Sequence, residues 1–213
     1  MTQVATAEFL VEARDWALGI PEGERRILAV AGAPGSGKST LAERLVHEIE
    51  AVRPGTAAIL PMDGFHYDDE VLVPRGWRPR KGAPHTFDVG GFAALLARLR
   101  ANAEDEIAVP RFDRDLEIAR GAARIVPRAV RLIVAEGNYL MLDELPWSGL
   151  RAAFDRTAFI DVPIAELERR LRARWEGYGL EGAAMVEKLE GNDLPNARKV
   201  AAGSAAADVM VTP

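Results

Sequence analysis

One glycine-rich stretch, Gly32 to Ser39, constrains the fold of this chain more than any other part of its sequence. It reads GAPGSGKS and is followed by Thr40, so it fits the pattern G-x-x-x-x-G-K-[ST] in full. A buried strand is predicted directly before it, because residues 27–30 form a short apolar run bounded by turn residues. A helix is predicted directly after it, since apolar residues recur at helical spacing over residues 38–52. A strand, a glycine-rich loop and a helix in this order predict a loop that holds phosphate groups.

The residue types of this loop suit a nucleoside triphosphate. Glycines let backbone N–H groups approach the phosphates and adopt conformations that are closed to other residues. The helix that follows presents its positive N-terminal end to the anion. Lys38 can reach the β- and γ-phosphates, and Ser39 offers a hydroxyl to Mg²⁺. We therefore predict that ATP and Mg²⁺ bind to Gly32, Ala33, Pro34, Gly35, Ser36, Gly37, Lys38, Ser39 and Thr40.

The rest of the chain alternates between predicted strands and predicted helices, which favours a parallel sheet with helices on both faces. We expect an α/β fold of the P-loop NTPase type: a doubly wound, mostly parallel sheet flanked by helices, in a single domain over residues 1–213. A small helical lid is expected at about residues 164–182. The further strands are predicted at about residues 57–62, 107–109, 124–126, 130–135, 159–162 and 209–211, and the further helices at about 4–18, 92–99 and 164–175, with two short helices before the last strand.

The composition excludes several classes of protein. The chain has no cysteine, so disulfides, thiolate metal sites and cysteine nucleophiles are excluded. Its 27 basic and 32 acidic side chains give a net charge of −5, which argues against a dedicated nucleic-acid binder. The N-terminus lacks a signal pattern, and no apolar run approaches the ~18 residues of a membrane span. We expect a cytoplasmic protein that binds neither nucleic acid nor membrane, and a homodimer is compatible with the sequence.

Two acidic residues follow predicted strands, at the edge of the sheet where doubly wound folds bind their ligands. Asp63 comes after the strand at 57–62, and Glu136 comes after the strand at 130–135. Asp63 could accept the proton of an attacking hydroxyl, although an ordinary aspartate with a pKa of about 3.9 is a weak base. A helix N-cap is the alternative role for Asp63. Glu136 could hold Mg²⁺ together with Ser39, and a structural acid at a strand end is the alternative.

Several arginines lie on the helix predicted to begin at residue 164. Arg170 and Arg174 share one face because they are four residues apart. They could close over the phosphates as a lid and neutralise charge on the transferred phosphoryl group. The alternative is a solvated face that pairs with Glu166 and Glu168. The predicted catalytic residues are therefore Asp63, Lys38, Arg170 and Arg174.

An irregular segment over about residues 63–90 is rich in proline, glycine and aromatic residues, and it is too long for an ordinary connection. We predict that it binds a small-molecule acceptor. Its basic stretch PRGWRPRKG suits an anionic group, and a solvated mobile loop is an equal alternative. Each candidate also has a structural alternative. His66 could be a surface histidine, Asp113 and Arg114 could form a local ion pair, and Tyr139 could be packed in the core. The candidate acceptor-binding residues are His66, Arg80, Lys81, Asp113, Arg114 and Tyr139.

Six segments together resemble the P-loop kinases that comprise uridine kinases, phosphoribulokinases and bacterial pantothenate kinases. They are GAPGSGKST, PMDGFH, RKGAPHTFD, VPRFDRD, IVAEGNYLML and the arginine-bearing helix, in the family's order from about Ile27 to Pro213. The chain most resembles a bacterial branch labelled nucleoside/nucleotide kinase-like or fructose-transport-associated kinase, to which NDLPNAR at residues 192–198 is also similar. The histidine of DGFH resembles phosphoribulokinases and RKGAPHTFD resembles pantothenate kinases, whereas the uridine kinase pocket is not matched residue by residue.

The resemblance implies a kinase that transfers the γ-phosphoryl group of ATP, with Mg²⁺, to a hydroxyl of a small molecule: a sugar such as fructose, a nucleoside or a pantothenate-like alcohol. It implies that Asp63 is the catalytic base and that the segment from Asn192 onward encloses the adenine. Two alternatives stay open. The basic loop suggests a nucleoside monophosphate kinase. A regulatory nucleotide switch would need guanine selectivity, for which the sequence has no N-K-x-D motif.

Overall fold

The largest element of the structure is a parallel sheet. The structure, a computed structural model, describes residues 2–213. Their eight strands are β1 (Thr2–Ala5), β2 (Arg26–Gly32), β3 (Ala57–Pro61), β4 (Glu106–Asp113), β5 (Ile118–Pro127), β6 (Leu132–Gly137), β7 (Arg156–Ile160) and β8 (Val209–Thr212). Six of them form the main sheet in the order β1-β8-β7-β2-β6-β3, and every neighbouring pair is parallel. The other two, β4 and β5, form an antiparallel hairpin.

The helices connect the strands of the sheet. Within residues 2–213 they are α1 (Thr6–Leu18), α2 (Lys38–Val52), α3 (Asp69–Leu72), α4 (Val89–Ala101), α5 (Ile164–Gly177), α6 (Gly182–Lys188) and α7 (Leu194–Gly203), and a π-helical turn, Leu189–Asp193, joins the last two. None of the helices formed by these residues has the length and apolar character that a membrane span requires. The predicted α/β fold with a doubly wound, mostly parallel sheet is confirmed.

The core explains why the central segments read as continuous apolar runs. All six residues of β6 are buried, and so are six of the seven in β2, because parallel strands in the middle of a sheet are covered on both faces. Helix α2 covers one face with Leu41, Ala42, Leu45 and Ile49, which lie on one side of the helix. The predicted bounds of α2, residues 38–52, agree with the structure.

The register of the central strands assembles the candidate site at one edge. Pro61 at the end of β3 lies beside Glu136 of β6, which in turn lies beside Val30 of β2. The segments that leave these three strands therefore start side by side. They are the glycine-rich loop, the turn that carries Asp63, and the loop that follows Gly137.

The N-terminus differs from its prediction. Residues 4 and 5 were expected in a helix that starts at Val4, but residues 2–5 form strand β1 and the helix starts at Thr6. Strand β1 pairs with β8, so that Val4 lies beside Val211. Only Val4 of this strand is buried, and its partner lies at the far end of the chain, so no local pattern marks the strand.

A second, smaller apolar cluster lies apart from the main core. It is formed by buried side chains of α5, α6, the π-helical turn and α7, namely Leu171, Met185, Leu189 and Leu194. Helix α5 thus packs partly against the sheet's core, through Leu167, and partly against this cluster. The lid predicted at residues 164–182 coincides with α5 and the start of α6, and its opening and closing stay a prediction.

Candidate active site

The glycine-rich loop has the backbone geometry that a phosphate cradle requires. Gly35 and Gly37 have φ values of +81° and +95°, a region that favours glycine. A Cβ on Gly32 would lie 2.6 Å from the Ser36 hydroxyl oxygen, so a larger residue would disturb the turn. The Ser36 N–H donates to the Ala33 carbonyl at 3.0 Å, which closes the loop on itself. These residues, with the N-terminal end of α2 behind them, fit the phosphates of a nucleotide.

Lys38 and Glu136 lie close enough at this cradle for their charges to interact. The Ser39 hydroxyl donates to Glu136 Oε2 at 2.9 Å, and the Glu136 side chain is buried. Burial raises the pKa of Glu136 and lowers the pKa of Lys38. Among residues 2–213 the Lys38 ammonium forms no ion pair, so a phosphate oxygen would be its partner. Ser39 and Glu136 supply one hydroxyl and one carboxylate, the oxygen ligands that suit Mg²⁺.

Asp63 is held by the turn of 3₁₀ helix, Met62–Phe65, that follows β3. Its carboxylate accepts a hydrogen bond from the Arg114 guanidinium at 3.0 Å, and the two side chains are 24% and 51% exposed. Burial acts to raise the pKa of Asp63, but the electrostatic influence of His66, followed by that of Arg114 and Lys38, outweighs it and holds the pKa below its ordinary value. The carboxylate is therefore ionised at neutral pH and able to accept a proton or orient a hydroxyl.

Two glycines let the Asp63 turn fit between its neighbours. A Cβ on Gly137, at the end of β6, would lie 2.5 Å from the Cβ of Met62. A Cβ on Gly64 would lie 3.0 Å from the backbone carbonyl of Pro110 in the hairpin. The close approach on both sides fixes where the Asp63 carboxylate stands relative to the sheet.

His66 stands one turn further along and is fixed from three sides. Its ring lies 4.1 Å from the Phe87 ring and 4.6 Å from the Phe112 ring, measured between centroids. Its Nδ1 is 2.8 Å from the Asp63 carbonyl oxygen. A carbonyl only accepts, so Nδ1 carries the hydrogen. Burial lowers the pKa of His66, and the neutral ring therefore offers Nε2 as an acceptor.

Two pockets join the phosphate loop to Asp63. One of about 520 Å³ is lined by Ser39, Asp63 and Glu136. The other, called the acceptor pocket below, is lined by Lys38 and Asp63 and has a volume of about 130 Å³. Lys38 and Asp63 both line it, so a small molecule bound there would meet the end of the phosphate cradle. The other walls come from five segments, at residues 66–87, 112–117, 138, 171–175 and 188–196. Their polar side chains include His66, Lys81, Arg114, Glu117, Asn138, Arg174, Lys188, Asn192, Asp193 and Asn196.

Three of the predicted acceptor residues line this pocket: His66, Lys81 and Arg114. Lys81 is buried, and its ammonium donates to Asp69 Oδ1 at 2.8 Å and to the Glu117 carbonyl at 2.6 Å. It therefore ties the loop after α3 to the tip of the hairpin.

The other three predicted acceptor residues do not line this pocket. The Asp113 carboxylate accepts from the Leu116 N–H at 3.1 Å and pairs with Arg120, so it shapes the turn of the hairpin, and it lines a neighbouring pocket together with Ser39, Asp63 and Glu136. Tyr139 is buried and its hydroxyl donates to the Gly82 carbonyl at 2.6 Å, which makes it a support beneath the loop. Arg80 lines a different pocket, together with Pro84, His85 and Trp147.

The two lid arginines have different surroundings. Arg170 donates to Glu166 at 2.7 Å and to the Ser36 carbonyl of the phosphate loop at 3.3 Å. Arg174 lines the acceptor pocket and stacks over the ring of Trp175, and it has no carboxylate partner among residues 2–213. Helix α5 also reaches the loop through Leu171, which lies 3.2 Å from where a Cβ of Gly35 would be. The pairing of Arg170 with Glu166, which was the alternative to a lid, is thus present, and the same helix contacts the phosphate loop.

Sequence reasoning missed most of the polar wall contributed by the π-helical turn. Asn192 donates to the Lys81 carbonyl at 2.9 Å, and Asn196 donates to Asn192 at 3.1 Å. The Asp193 carboxylate accepts from the Trp175 indole N–H at 2.6 Å. These side chains line the same pocket as Lys38 and Asp63, and the expectation that this segment encloses the adenine stays a prediction. The signal for this wall in the sequence was the polar residues of NDLPN at 192–196, which flank the apolar Leu194.

Comparisons with known proteins place these features in context. No family model matches the chain. It is 34% identical over 193 residues to the "Uncharacterized protein YggC" of Escherichia coli, covering 88% of this chain and 77% of that one. It is 31% identical over 195 residues to the "Putative uridine kinase C227.14" of Schizosaccharomyces pombe, covering 88% and 83%. The crystal structure described as a "putative fructose transport system kinase" from Silicibacter sp. TM1040 superimposes with a TM-score of 0.87 at 40% identity, covering 97% and 98% of the two chains.

Proposed function

The chain belongs to the uridine kinase-like group of P-loop kinases, and we propose that it transfers the γ-phosphoryl group of ATP to a hydroxyl of a small polar molecule. The observation that carries the proposal is the acceptor pocket, which Lys38 of the phosphate loop and Asp63 line together. A hydroxyl compound bound there would lie between the group that holds the phosphate and a carboxylate able to take the proton. Membership of this family favours an enzyme over a regulatory switch.

The phosphate side of the site is built from the loop and from α5. Bound MgATP supplies the phosphoryl group. Lys38 would hold the β- and γ-phosphate oxygens, and Ser39 and Glu136 would hold the metal ion. Arg174 has no carboxylate partner among residues 2–213, so its charge is available to the transferred phosphoryl oxygens, whereas Arg170 braces the loop through Ser36. Charge stabilisation of this kind is the main contribution of a protein to phosphoryl transfer.

The acceptor side of the site is built around Asp63. Its carboxylate would orient the acceptor hydroxyl and take its proton as the new O–P bond forms. Arg114 holds the carboxylate in place at 3.0 Å. The neutral His66 would accept a hydrogen bond from a second hydroxyl through Nε2, since Nδ1 is engaged.

The lining of the pocket narrows the kind of acceptor. Carboxamides and carboxylates, such as Asn138 and Asp193, alternate with the aromatic rings of Phe87 and Phe112. This mixture suits a compound with several hydroxyls and one apolar face. The candidates are a sugar such as fructose, a nucleoside or a pantothenate-like alcohol, and the name given to the Silicibacter protein supports a sugar among them.

A nucleoside monophosphate is a weaker candidate, because the basic loop does not deliver its arginines to the pocket. Arg78 pairs with Asp69 at 2.6 Å outside the pocket. Arg80 faces another pocket, and Lys81 already has the Asp69 carboxylate as its partner.

The test begins with a screen of the purified protein with MgATP against sugars, nucleosides, vitamins and their phosphates, with ADP release as the readout. With the acceptor so found, Asp63→Asn should lower kcat by about 10²- to 10⁴-fold, the usual contribution of a general base. Binding of a non-hydrolysable ATP analogue should survive, since Asp63 lies outside the cradle. The matched control is Asp105→Asn, which makes the same change in a carboxylate that is 92% exposed and pairs with Arg128 at 3.3 Å.

Two results would contradict the proposal. Full turnover in Asp63→Asn would remove Asp63 as the proton acceptor. Tight ATP binding without stimulation by any hydroxyl compound, together with a strong preference for GTP, would favour the nucleotide switch.

A further inference from the structure

A second pocket lies behind the loop that carries Lys81. It has a volume of about 420 Å³, within the usual range for small-molecule sites. Its walls come from residues 80–85, residues 144–147 and the start of α7. Asn196 lines both this pocket and the acceptor pocket, so the two are separated by one layer of the loop. We call it the Arg80 pocket.

Arg80 is the unusual residue of this pocket. Its Nε is buried from solvent and has no hydrogen-bond partner. Among residues 2–213 its guanidinium makes neither an ion pair nor a hydrogen bond. Arg78, two positions earlier in the same turn, has a carboxylate at 2.6 Å. Polar groups removed from water almost always have a partner, because an unpaired one costs free energy.

The groups around Arg80 leave its charge without compensation. His85 lines the same pocket, and burial together with the Arg80 charge lowers the pKa of His85, so the ring is neutral at pH 7. Glu144 is the only acidic residue among those that line the pocket, and it pairs with Lys199 at 2.8 Å. An anion that entered the pocket would therefore meet a net positive charge.

The remaining walls are apolar and rigid. Pro84, Pro146 and Trp147 line the pocket, and the Trp147 indole N–H donates to the Pro84 carbonyl at 3.2 Å. The polar N–H of the indole is therefore satisfied within the protein, and the part of Trp147 that lines the pocket is apolar. A ligand with one anionic group and a small apolar body would fill such a site.

We propose that the Arg80 pocket binds a small organic anion, with its carboxylate or phosphate on the Arg80 guanidinium and its apolar body against Pro84 and Trp147. The planar guanidinium matches both anions, because each presents two oxygens to its N–H groups. This site is separate from the site of phosphoryl transfer, and its near wall is the loop that positions Lys81.

The test is calorimetric titration of the full chain with phenyl phosphate and with benzoate, and with neutral benzamide as the uncharged probe. The phosphate loop would itself bind phosphate, so it is first saturated with a non-hydrolysable ATP analogue and Mg²⁺. Both anions should bind and benzamide should not. Preference for phenyl phosphate or for benzoate identifies which anion the pocket takes. Arg80→Gln should weaken binding at least about tenfold, the usual loss for a hydrogen bond to a charged group.

The matched control is Arg78→Gln, which makes the same change of charge in the same turn and should leave anion binding unaltered. Equal binding by Arg80→Gln and the native chain, equal loss in both variants, or no binding of either anion would each overturn the proposal.

A thermal unfolding scan separates an effect on binding from an effect on folding. Without ligand, Arg80→Gln should unfold at the native temperature or above it, because the unpaired guanidinium contributes nothing to stability. A clear fall in that temperature would assign Arg80 a structural role instead. None of these measurements uses turnover, so their outcome is independent of the proposed kinase activity.

Discussion

The phosphate loop can be tested through one methyl group, added by Gly37→Ala. Gly37 precedes α2 with φ +95° and ψ 11°, a backbone conformation that L side chains rarely adopt. A Cβ at this position would meet no atom within 4 Å. The substitution therefore adds backbone strain without a steric clash, and every effect of the variant can be assigned to that strain.

The strain should cost about 1–3 kcal/mol, the usual price of a non-glycine residue in such a region. The loop can respond in two ways. If it keeps its conformation, the free energy of unfolding falls by this amount, and Tm falls by roughly 2–12 °C for a chain of this size. If it relaxes instead, stability is kept and affinity for the nucleotide falls by the same free energy, about 5- to 150-fold. The two losses together should add up to about 1–3 kcal/mol.

Urea unfolding measures the first loss, and calorimetric titration with a non-hydrolysable ATP analogue and Mg²⁺ measures the second. Gly55→Ala is the matched control: Gly55 has φ +76° and open space around its Cβ, but lies in the turn before β3, at the other end of the sheet. It should lose stability and keep its nucleotide affinity. Gly121→Ala, at an ordinary φ with open space, should change neither quantity. The reasoning is refuted if Gly37→Ala keeps both the native free energy of unfolding and the native nucleotide affinity, or if Gly55→Ala also weakens nucleotide binding.

Two further predictions concern the Arg114–Asp63 ion pair and the buried Arg25. Arg114→Gln removes one cause of the low pKa of Asp63. Because activity is lost as pH falls through that pKa, the acid limb of the kcat/KM profile should move to higher pH. Identical acid limbs in the variant and the native enzyme would contradict this. Arg25 is 5% exposed and donates at 2.8 Å to the Val130 and Pro127 carbonyls. Arg25→Met should lower the free energy of unfolding by about 2–5 kcal/mol, since buried acceptors lose their donor, and a change in Tm below about 4 °C would contradict it.

The donor end of the site was predictable because its determinants are local. The strand β2, the loop and α2 follow one another in the sequence, and each has its own signal: an apolar run, a glycine pattern and helical periodicity. The positions of Asp63 and Glu136 at strand ends followed from the same logic, since parallel strands end at one edge.

The acceptor end was less predictable because its contacts join distant segments. The turn that carries Asp63 receives Arg114 from a hairpin 51 residues later. Arg80 and Lys81 read as one basic group in the sequence, yet the chain turns between them and sends their side chains into different pockets. Strand β1 was missed for the same reason, because it pairs with β8 at the other end of the chain.

This difference between the two ends bears on how such kinases differ in their acceptors. Asn192 holds the Lys81 carbonyl across 111 residues of chain, and Tyr139 holds the adjacent Gly82 carbonyl across 57. The loop that carries Lys81 is therefore positioned by hydrogen bonds from the π-helical turn and from the segment after β6. Changes in those two segments would move Lys81 and reshape the pocket while the cradle for ATP stays intact. Under the proposed function, relatives that share the glycine-rich loop would differ in the hydroxyl compounds they accept through the residues of these two segments.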